Sequence, residues 1–431
     1  MNTAQLIKSN KIISSEIGII SHTIKLPRMY SDPKLINFGI WPCDTLHLGA
    51  EKFEGRSGAC NDDWDMAVLA TIGETIERYT PIFSPGDGIS ASYKDLDKRA
   101  VHPSEYALFH EKQHLVFKER GYNVVPFDEE VPVTWVPTID LVDSSETYCP
   151  AQFLYMPFTK DMGYITAGNS TGLAAHTNYY KAILNAIYEC IERDSFVITW
   201  HNNIVPPKIK ITKEIKEYLH SRFPPHYEWH LFDITYDLET PTVFGICMGE
   251  SDFGKFVAVG SATRGTIGEA AQKVIQEIGQ TAPYFRWLLG ERRDWTPTDD
   301  YNDLLTFSDH SIYYLKRLDQ WGVFDRWVHQ AENKVIDFYE PDTRTDVEKI
   351  KDMLRVFRKK GYNVLLRDLT TVDTRQLGFY SLKVYIPQLI QMAGGYPFYF
   401  LGGKRVYDVP EMMGYGRLDF ATLNKYPHPF P

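Results

Sequence analysis

Apolar side chains recur at the three- and four-residue spacing of a helix in several stretches, each opened by a capping residue. Trp64 to Tyr79 follows Asn61, Asp62 and Asp63, and a second stretch from about 178 to 200 opens at Thr177 or Asn178. A third runs from Thr266 to about Gln280, where Thr266 and Glu269 have the spacing of a capping box. Asp346 to Lys360 is a charged amphipathic helix that leads into an apolar strand, Asn363 to Leu366. Residues 104 to 121 read as an exposed, charged helix. Shorter β-branched and aromatic runs predict strands at Ile17 to Ile20, Ile36 to Ile40, Glu228 to Thr235, Thr242 to Met248 and Lys255 to Ser261. A β-rich stretch also extends to about residue 166. Strands and helices alternate throughout, so the class is α/β or mixed α+β. No Gly/Ser linker divides the chain, which predicts one integrated body.

Two of these helices echo each other. Ala67 to Arg78 (AVLATIGETIER) and Ala182 to Arg193 (AILNAIYECIER), 115 residues apart, share seven identical positions. Ala270 to Gln280 (AAQKVIQEIGQ) matches again, with Glu277 at the first glutamate and Gln280 at the second. At 100° per residue, Leu69, Ile72 and Ile76 form the core stripe of the first helix. Ala67, Ala70, Glu74 and Glu77 lie on another face. Its counterparts are Ala182, Asn185, Glu189 and Glu192 in the second helix, and Ala270, Lys273, Glu277 and Gln280 in the third. Small residues one turn before paired carboxylates let a ligand or another backbone come close.

A lone ExxER is a solvated charge cluster. Recurrence in one register beside small residues points further. If the faces converge, four or five carboxylates share one site and repel unless cations neutralise them. Mg²⁺ takes hard oxygen ligands, usually one or two carboxylates plus substrate phosphates. Two glutamate pairs therefore suit two Mg²⁺ ions on a nucleoside triphosphate, with Arg78, Arg193 and Lys273 as the complement to phosphate oxygens. Neither GxxxxGK[ST] nor GxGxxG occurs, so the nucleotide site is of another kind.

Charge and composition narrow the partners. The 431 residues carry 46 basic and 56 acidic side chains, a net charge of −10, with no basic concentration to track a nucleic acid. No apolar run reaches the ~20 residues of a membrane helix, and the N-terminus lacks a signal-peptide pattern. Five scattered cysteines without a CxxC pair read as reduced thiols of a cytoplasmic protein.

Two motifs compete. His110-Glu111-Lys112-Gln113-His114 spells the HExxH of zinc proteases on a predicted helix, but its charged neighbours mark that helix as exposed, whereas a hydrolytic zinc needs a dry cavity. Gly168-Asn169-Ser170-Thr171-Gly172 spells the GxSxG nucleophile elbow, which requires a helix directly after the serine. Here the next helix caps, Thr177 and Asn178, come seven residues later, so Ser170 is read as a loop donor to a ligand or a simple turn serine.

On these residues the chain resembles the YcaO family of ATP-dependent peptide-backbone-modifying enzymes. The resemblance rests on Glu74-x-x-Glu77-Arg78-Tyr79, Ser170-Thr171-Gly172-Leu173-Ala174-Ala175, Asn185-x3-Glu189-x2-Glu192-Arg193-Asp194 and Lys273-x3-Glu277-x2-Gln280. Arg367-Asp368-Leu369-Thr370 and Lys383-Val384-Tyr385-Ile386-Pro387 extend it over roughly residues 50 to 431. It implies a YcaO-like fold with a 1–50 segment packed on a 51–431 catalytic domain. ATP and Mg²⁺ are the implied cofactors. By position, Glu74, Glu77, Glu189 and Glu192 become metal and phosphate ligands. Arg78, Ser170, Asn185, Arg193, Lys273 and Glu277 line the nucleotide. Lys273 stands where the family often has arginine, and His176 where a glycine is common. The ending Tyr426-Pro427-His428-Pro429-Phe430-Pro431 is a PxPxP pattern, stiff and extended. It is either a frayed end or, as in azoline-forming members, a tail that reaches the active site, with Pro427, Pro429 and Pro431 as its catalytic part.

The resemblance thus implies a cyclodehydratase. A Cys, Ser or Thr side chain of a ribosomally made precursor peptide attacks the preceding amide, ATP phosphorylates that oxygen, and loss of phosphate leaves a thiazoline or oxazoline. No leader-binding module is recognisable in the first 50 residues, so a separate ThiF-like partner, a flavin dehydrogenase of the same complex, and a homodimer are expected. Thioamide formation, or a non-catalytic nucleotide-binding scaffold, are the alternatives.

Overall fold

Twenty-three residues, Tyr179–His201, form the longest helix among those described and lie at the centre of the molecule. The structure is a computed structural model that describes residues 9–50, 57–83, 85–166 and 168–430. Its paired strands are antiparallel and make three sheets. The first has the order β1 (Ile20–Lys25), β2 (Ile36–Pro42), β3 (Ser57–Asn61). The second is six-stranded: β4 (Ile89–Ala91), β5 (Val133–Asp140), β12 (Leu365–Asp368), β13 (Tyr380–Tyr385) and β7 (Leu173–His176), with β6 (Ser145–Pro150) paired to β5. The third has the order β11 (Gly254–Thr263), β10 (Thr242–Ser251), β9 (Glu228–Asp233), β8 (Lys208–Ile209).

Among the described residues, the helices of eight residues or more are α1 (Trp64–Tyr79), α2 (Glu111–Glu119), α3 (Tyr179–His201), α4 (Lys213–Arg222), α5 (Ile267–Ile278), α6 (Thr281–Glu291), α7 (Phe307–Lys316), α8 (Asp346–Lys360) and α9 (Arg405–Met412). Antiparallel pairing of all the named strands, with parallel contacts only at isolated bridges among the described residues, places the molecule on the α+β side of the expected class.

The helix starts are chemical. Asp63 accepts from the Met66 N–H and Asn178 from the Lys181 N–H, each satisfying a first-turn donor. Thr345 and Glu348 complete a reciprocal box on α8. Thr266 caps α5 through the Glu269 N–H, but the Glu269 carboxylate turns away to the Asp342 N–H, so only half of the expected box forms. The regular helix ends at Ile278, and Gly279 and Gln280 continue the chain in right-handed helical conformation into α6.

Two further expectations need correction. The helix read over 104 to 121 is confined to Glu111–Glu119, with a short 3₁₀ turn at Pro103–Glu105 before it. Near the N-terminus the strand begins at Ile20 rather than Ile17, because Ile17 is exposed in a turn.

α3 is buried on nearly all sides. Its first half packs Ala182, Ile183, Ile187 and Ile191 with Leu382 and Val384 of β13 and with Phe357 of α8. Its second half, from Phe196 to Trp200, joins Phe244, Val257 and Trp327 in a separate core. α1 packs Ile72 and Ile76 with Ile20 and Ile40 of the first sheet, and α5 covers β9–β11 with Val274, Ile275 and Ile278. Each sheet thus delivers one of the three echoing helices.

Candidate active site

The small residues of the echo do the first work. Ala67, Ala182 and Ala270 are fully buried, so they admit neighbouring backbone rather than ligand; Ala70 is exposed. A Cβ on Gly73 of α1 would stand 3.7 Å from the Ala175 carbonyl of β7. This close approach brings the glutamates of α1 beside those of α3.

The five glutamates converge. Glu77 lies 3.8 Å from Arg78, Glu189 and Glu192 lie 3.7 and 3.5 Å from Arg193, and Glu277 lies 3.2 Å from Lys273. Burial raises the Glu77 carboxyl to about 8; Arg78 opposes that push, and Glu189 and Glu74 add to it. Burial likewise raises Glu192 to about 7, opposed by Arg193 and reinforced by Glu277 and Glu189. Glu74 is raised by burial too, against Arg78 and the Gly58 N–H. Carboxylates from three helices therefore share one field, and part of their repulsion is met by Arg78, Arg193 and Lys273.

The loop before β7 closes one side. Gly172 has φ +82°, and a Cβ there would meet the Val384 carbonyl at 2.1 Å and Cys190 Sγ at 2.8 Å. Only glycine fits. Its N–H donates to Glu189 Oε2 at 2.9 Å, and its carbonyl accepts from the Val384 N–H. Lys383, 1% exposed, donates through Nζ to the Asn169 and Thr171 carbonyls at 2.8 and 2.7 Å. Burial lowers this lysine to about 8. Ser170 sits half-buried at the turn, its carbonyl accepting from Leu173, and a strand rather than a helix follows. The elbow geometry is therefore absent. Asn185 is half-buried one turn before Glu189.

The Pro-rich segment is no frayed end. Pro427, His428, Pro429 and Phe430 are buried. The Phe430 ring lies 5.1 Å from Arg193 Cζ and edge-on to Phe196 at 4.4 Å. Pro431 lies outside the described residues.

HExxH is not a metal site in this fold. His110 precedes α2 as its N-cap, in extended conformation, with Nδ1 accepting from the Lys112 N–H. Its ring stacks on Phe420 at 4.2 Å, while His114 packs edge-on to Phe109 and Phe117. The two histidines do not share a helical face.

The donor set has the character a hard cation and phosphates require. Acidic groups and cations interleave, and the buried Arg193 NH1 has no hydrogen-bond acceptor. Among the described residues no three His, Cys, Asp or Glu side chains stand together tightly enough to hold an ion alone. Sequence reading missed Lys383 as the clamp of this loop, Ser261, whose hydroxyl donates to Glu192 at 2.9 Å, and Arg264, whose charge acts on Glu192.

Antiparallel sheets thus bring paired glutamates and arginines into one electrostatic field, and the sequence carries no Walker loop. A family model described as YcaO cyclodehydratase, ATP- and Mg²⁺-binding, matches residues 61–390, and the chain belongs to this YcaO family. Three solved structures share its fold. A heterocyclase in complex with substrate and cofactor aligns at TM-score 0.77 and 17% identity, over 99% of this chain and 57% of that one. A YcaO protein from Methanopyrus kandleri bound with AMPPCP and Mg²⁺ aligns at 0.62 and 15%, over 90% and 89%. The E. coli microcin synthetase McbBCD complex aligns at 0.56 and 14%, over 85% and 88%. The chain thus spans little more than half the length of the first heterocyclase. A search of curated protein sequences finds no match. No helix among the described residues is long and apolar enough to cross a membrane.

Proposed function

We propose that the chain is an ATP-dependent cyclodehydratase that converts Cys, Ser or Thr residues of a ribosomally made precursor peptide to thiazolines or oxazolines. One observation carries the reading: Phe430, within the Pro-rich segment, lies on Arg193, the arginine that Glu189 and Glu192 flank. A Pro-rich ending is typical of the azoline-forming members of this family, and thioamide-forming members usually lack it.

In this reading Glu74, Glu77, Glu189 and Glu192 hold Mg²⁺. Arg78, Ser170, Asn185, Arg193, Lys273 and Glu277 hold the nucleotide. Bound MgATP supplies the phosphoryl group that lets the amide oxygen leave. The new bond joins the attacking Sγ or Oγ to the preceding carbonyl carbon, and the S–H or O–H and the amide N–H each give up a proton. The carbonyl C–O bond breaks with its oxygen leaving in the phosphate, so the peptide is lighter by one water as ATP becomes ADP and phosphate. The chain's own contribution is placement and charge neutralisation: Arg78, Arg193 and Lys273 offset anionic oxygens, and Lys383 fixes the loop that aims the Gly172 N–H. Pro427 and Pro429, buried beside Phe430, give the segment a stiff edge for the reacting amide, and we assign Pro431, which follows them in the sequence, to the same catalytic part. The named neighbours, a heterocyclase with substrate and a synthetase complex, support a peptide substrate and partner proteins. We assign a ThiF-like leader-binding partner, a flavin dehydrogenase and a homodimer to that assembly.

The test removes Pro429 to Pro431, or extends the chain beyond them with a tag. With a Cys/Ser/Thr-rich peptide encoded beside this chain, mass spectrometry is expected to show no loss of one water (~18 Da) per ring, while ATP affinity stays near normal. Unchanged ring formation overturns the reading.

A further inference from the structure

Proline lacks an N–H, so a proline-bearing strand offers a receptor mainly its carbonyls. Residues 424–430 lie between α3 and α7, and four side chains meet those carbonyls. His201 Nδ1 is 2.6 Å from the Asn424 oxygen, and Trp200 Nε1 donates to Tyr426 at 3.0 Å. The Tyr314 hydroxyl donates to Pro427 at 2.6 Å, and His310 Nδ1 is 3.0 Å from the His428 oxygen. Two of these groups are adjacent on α3 and two are four apart on α7, so the helices line the strand with donors from both sides. Asn424, Pro427, His428, Pro429 and Phe430 are all buried, and His428 and Phe430 are the two whose rings pack on rings of the groove. His428 stacks on His310 at 4.2 Å, with Nε2 2.7 Å from the Ala393 oxygen, and Phe430 packs on Phe196. The Tyr426 ring, by contrast, is 43% exposed.

We infer that the groove between α3 and α7 is a binding site for an extended, proline-bearing peptide strand, gripped by its carbonyls and keyed by an imidazole and an aromatic ring two residues apart. Residues 424–430 occupy it in this chain, and a separate peptide of the same sequence fits the same donors. The inference deepens the functional reading above, because this strand carries Phe430 to Arg193. The grip itself is independent of the chemistry Arg193 serves. His310 and Tyr314 touch neither nucleotide nor peptide substrate in that reading; they are positioning residues.

The test keeps the full chain. A protease site is placed in the exposed loop at residues 413–416, and the folded protein is then cut. The released piece is expected to stay with the body through gel filtration and to exchange saturably with a fluorescein-labelled peptide, Asn-Lys-Tyr-Pro-His-Pro-Phe-Pro. Tyr314→Phe deletes one hydroxyl and should speed release about tenfold, with ATP affinity unchanged. His428→Ala in the labelled peptide should weaken its binding by a similar factor, which covers the case of a Tyr314 variant that folds poorly. Immediate loss of the piece from the wild-type protein, or release and binding unaffected by both changes, overturns the inference. Ring formation on the same samples separates the two readings. A piece that is held but irrelevant to ring formation sinks the catalytic role of the strand and leaves the groove. A piece that is not held sinks the groove, while the uncut enzyme still reports on the chemistry.

Discussion

The Arg405 guanidinium grips the Asp194 carboxylate at 2.6 Å, 211 residues away in the chain, with both side chains out of solvent. Arg405 also reaches Asp237 at 2.8 Å, and Asp194 accepts from the Ile390 N–H. The network anchors α9 to α3 one residue beyond Arg193. Removing one member strands a buried charge. Asp194→Asn or Arg405→Met should each cost about 3–5 kcal/mol in urea unfolding, and the double variant should cost less than their sum.

Glu189→Gln and Glu192→Gln should each reduce ATP turnover at least ~100-fold, because in the proposed function a neutral amide replaces a carboxylate ligand of Mg²⁺. Glu192→Gln should also raise the melting temperature of the nucleotide-free protein, since burial already disfavours that charge. Calorimetry and ADP release measure the two effects side by side. A variant that loses activity by unfolding would show the opposite thermal shift.

His110→Ala and His114→Ala should leave ATP turnover within about twofold of normal. His110→Ala loses the N-cap of α2 and should cost ~1 kcal/mol. Activity lost in these variants and restored by zinc would contradict the placement of His110 outside the helix.

Acid should loosen the Pro-rich strand. Burial lowers His201 and His310 to about 4, and it lowers His428 as well, with His310, His201 and Arg193 adding to the effect. Lys425 faces His201 and further lowers it, while Asp309 faces His310 and weakly opposes. An unfolded histidine titrates near 6.5, so below that pH the unfolded state binds more protons than the folded one. Stability from these rings is complete above about 6.5 and declines as pH falls toward 4. Indole fluorescence followed against pH should report it, because Trp200 donates to Tyr426. His310→Phe should flatten that decline.

Local chemistry made much of this legible from sequence. Caps at Asp63 and Asn178 place α1 and α3, the amphipathic pattern of Asp346 to Lys360 places α8, and the repeated ExxER gives the register of the carboxylate face. What escaped depends on partners far apart in the chain. Lys383 clamps residues more than 200 positions away, and nothing near it signals a buried lysine. The HExxH histidines look equivalent in sequence, but the capping bond of His110 takes it off the helix. Gln280 shares the echo's spacing, yet the regular helix stops two residues earlier.

α3 also works as a ruler. Glu189 and Trp200 lie on one uninterrupted helix, and eleven residues at ~1.5 Å each fix their separation near ~16 Å. One end carries the glutamates of the proposed nucleotide site and the other holds the Pro-rich strand through Trp200. Inserting or deleting a single residue between them would swing one end by ~100° and move it by ~1.5 Å. A one-residue insertion in the exposed loop at 413–416 has no such lever and should leave both ends of α3 in place.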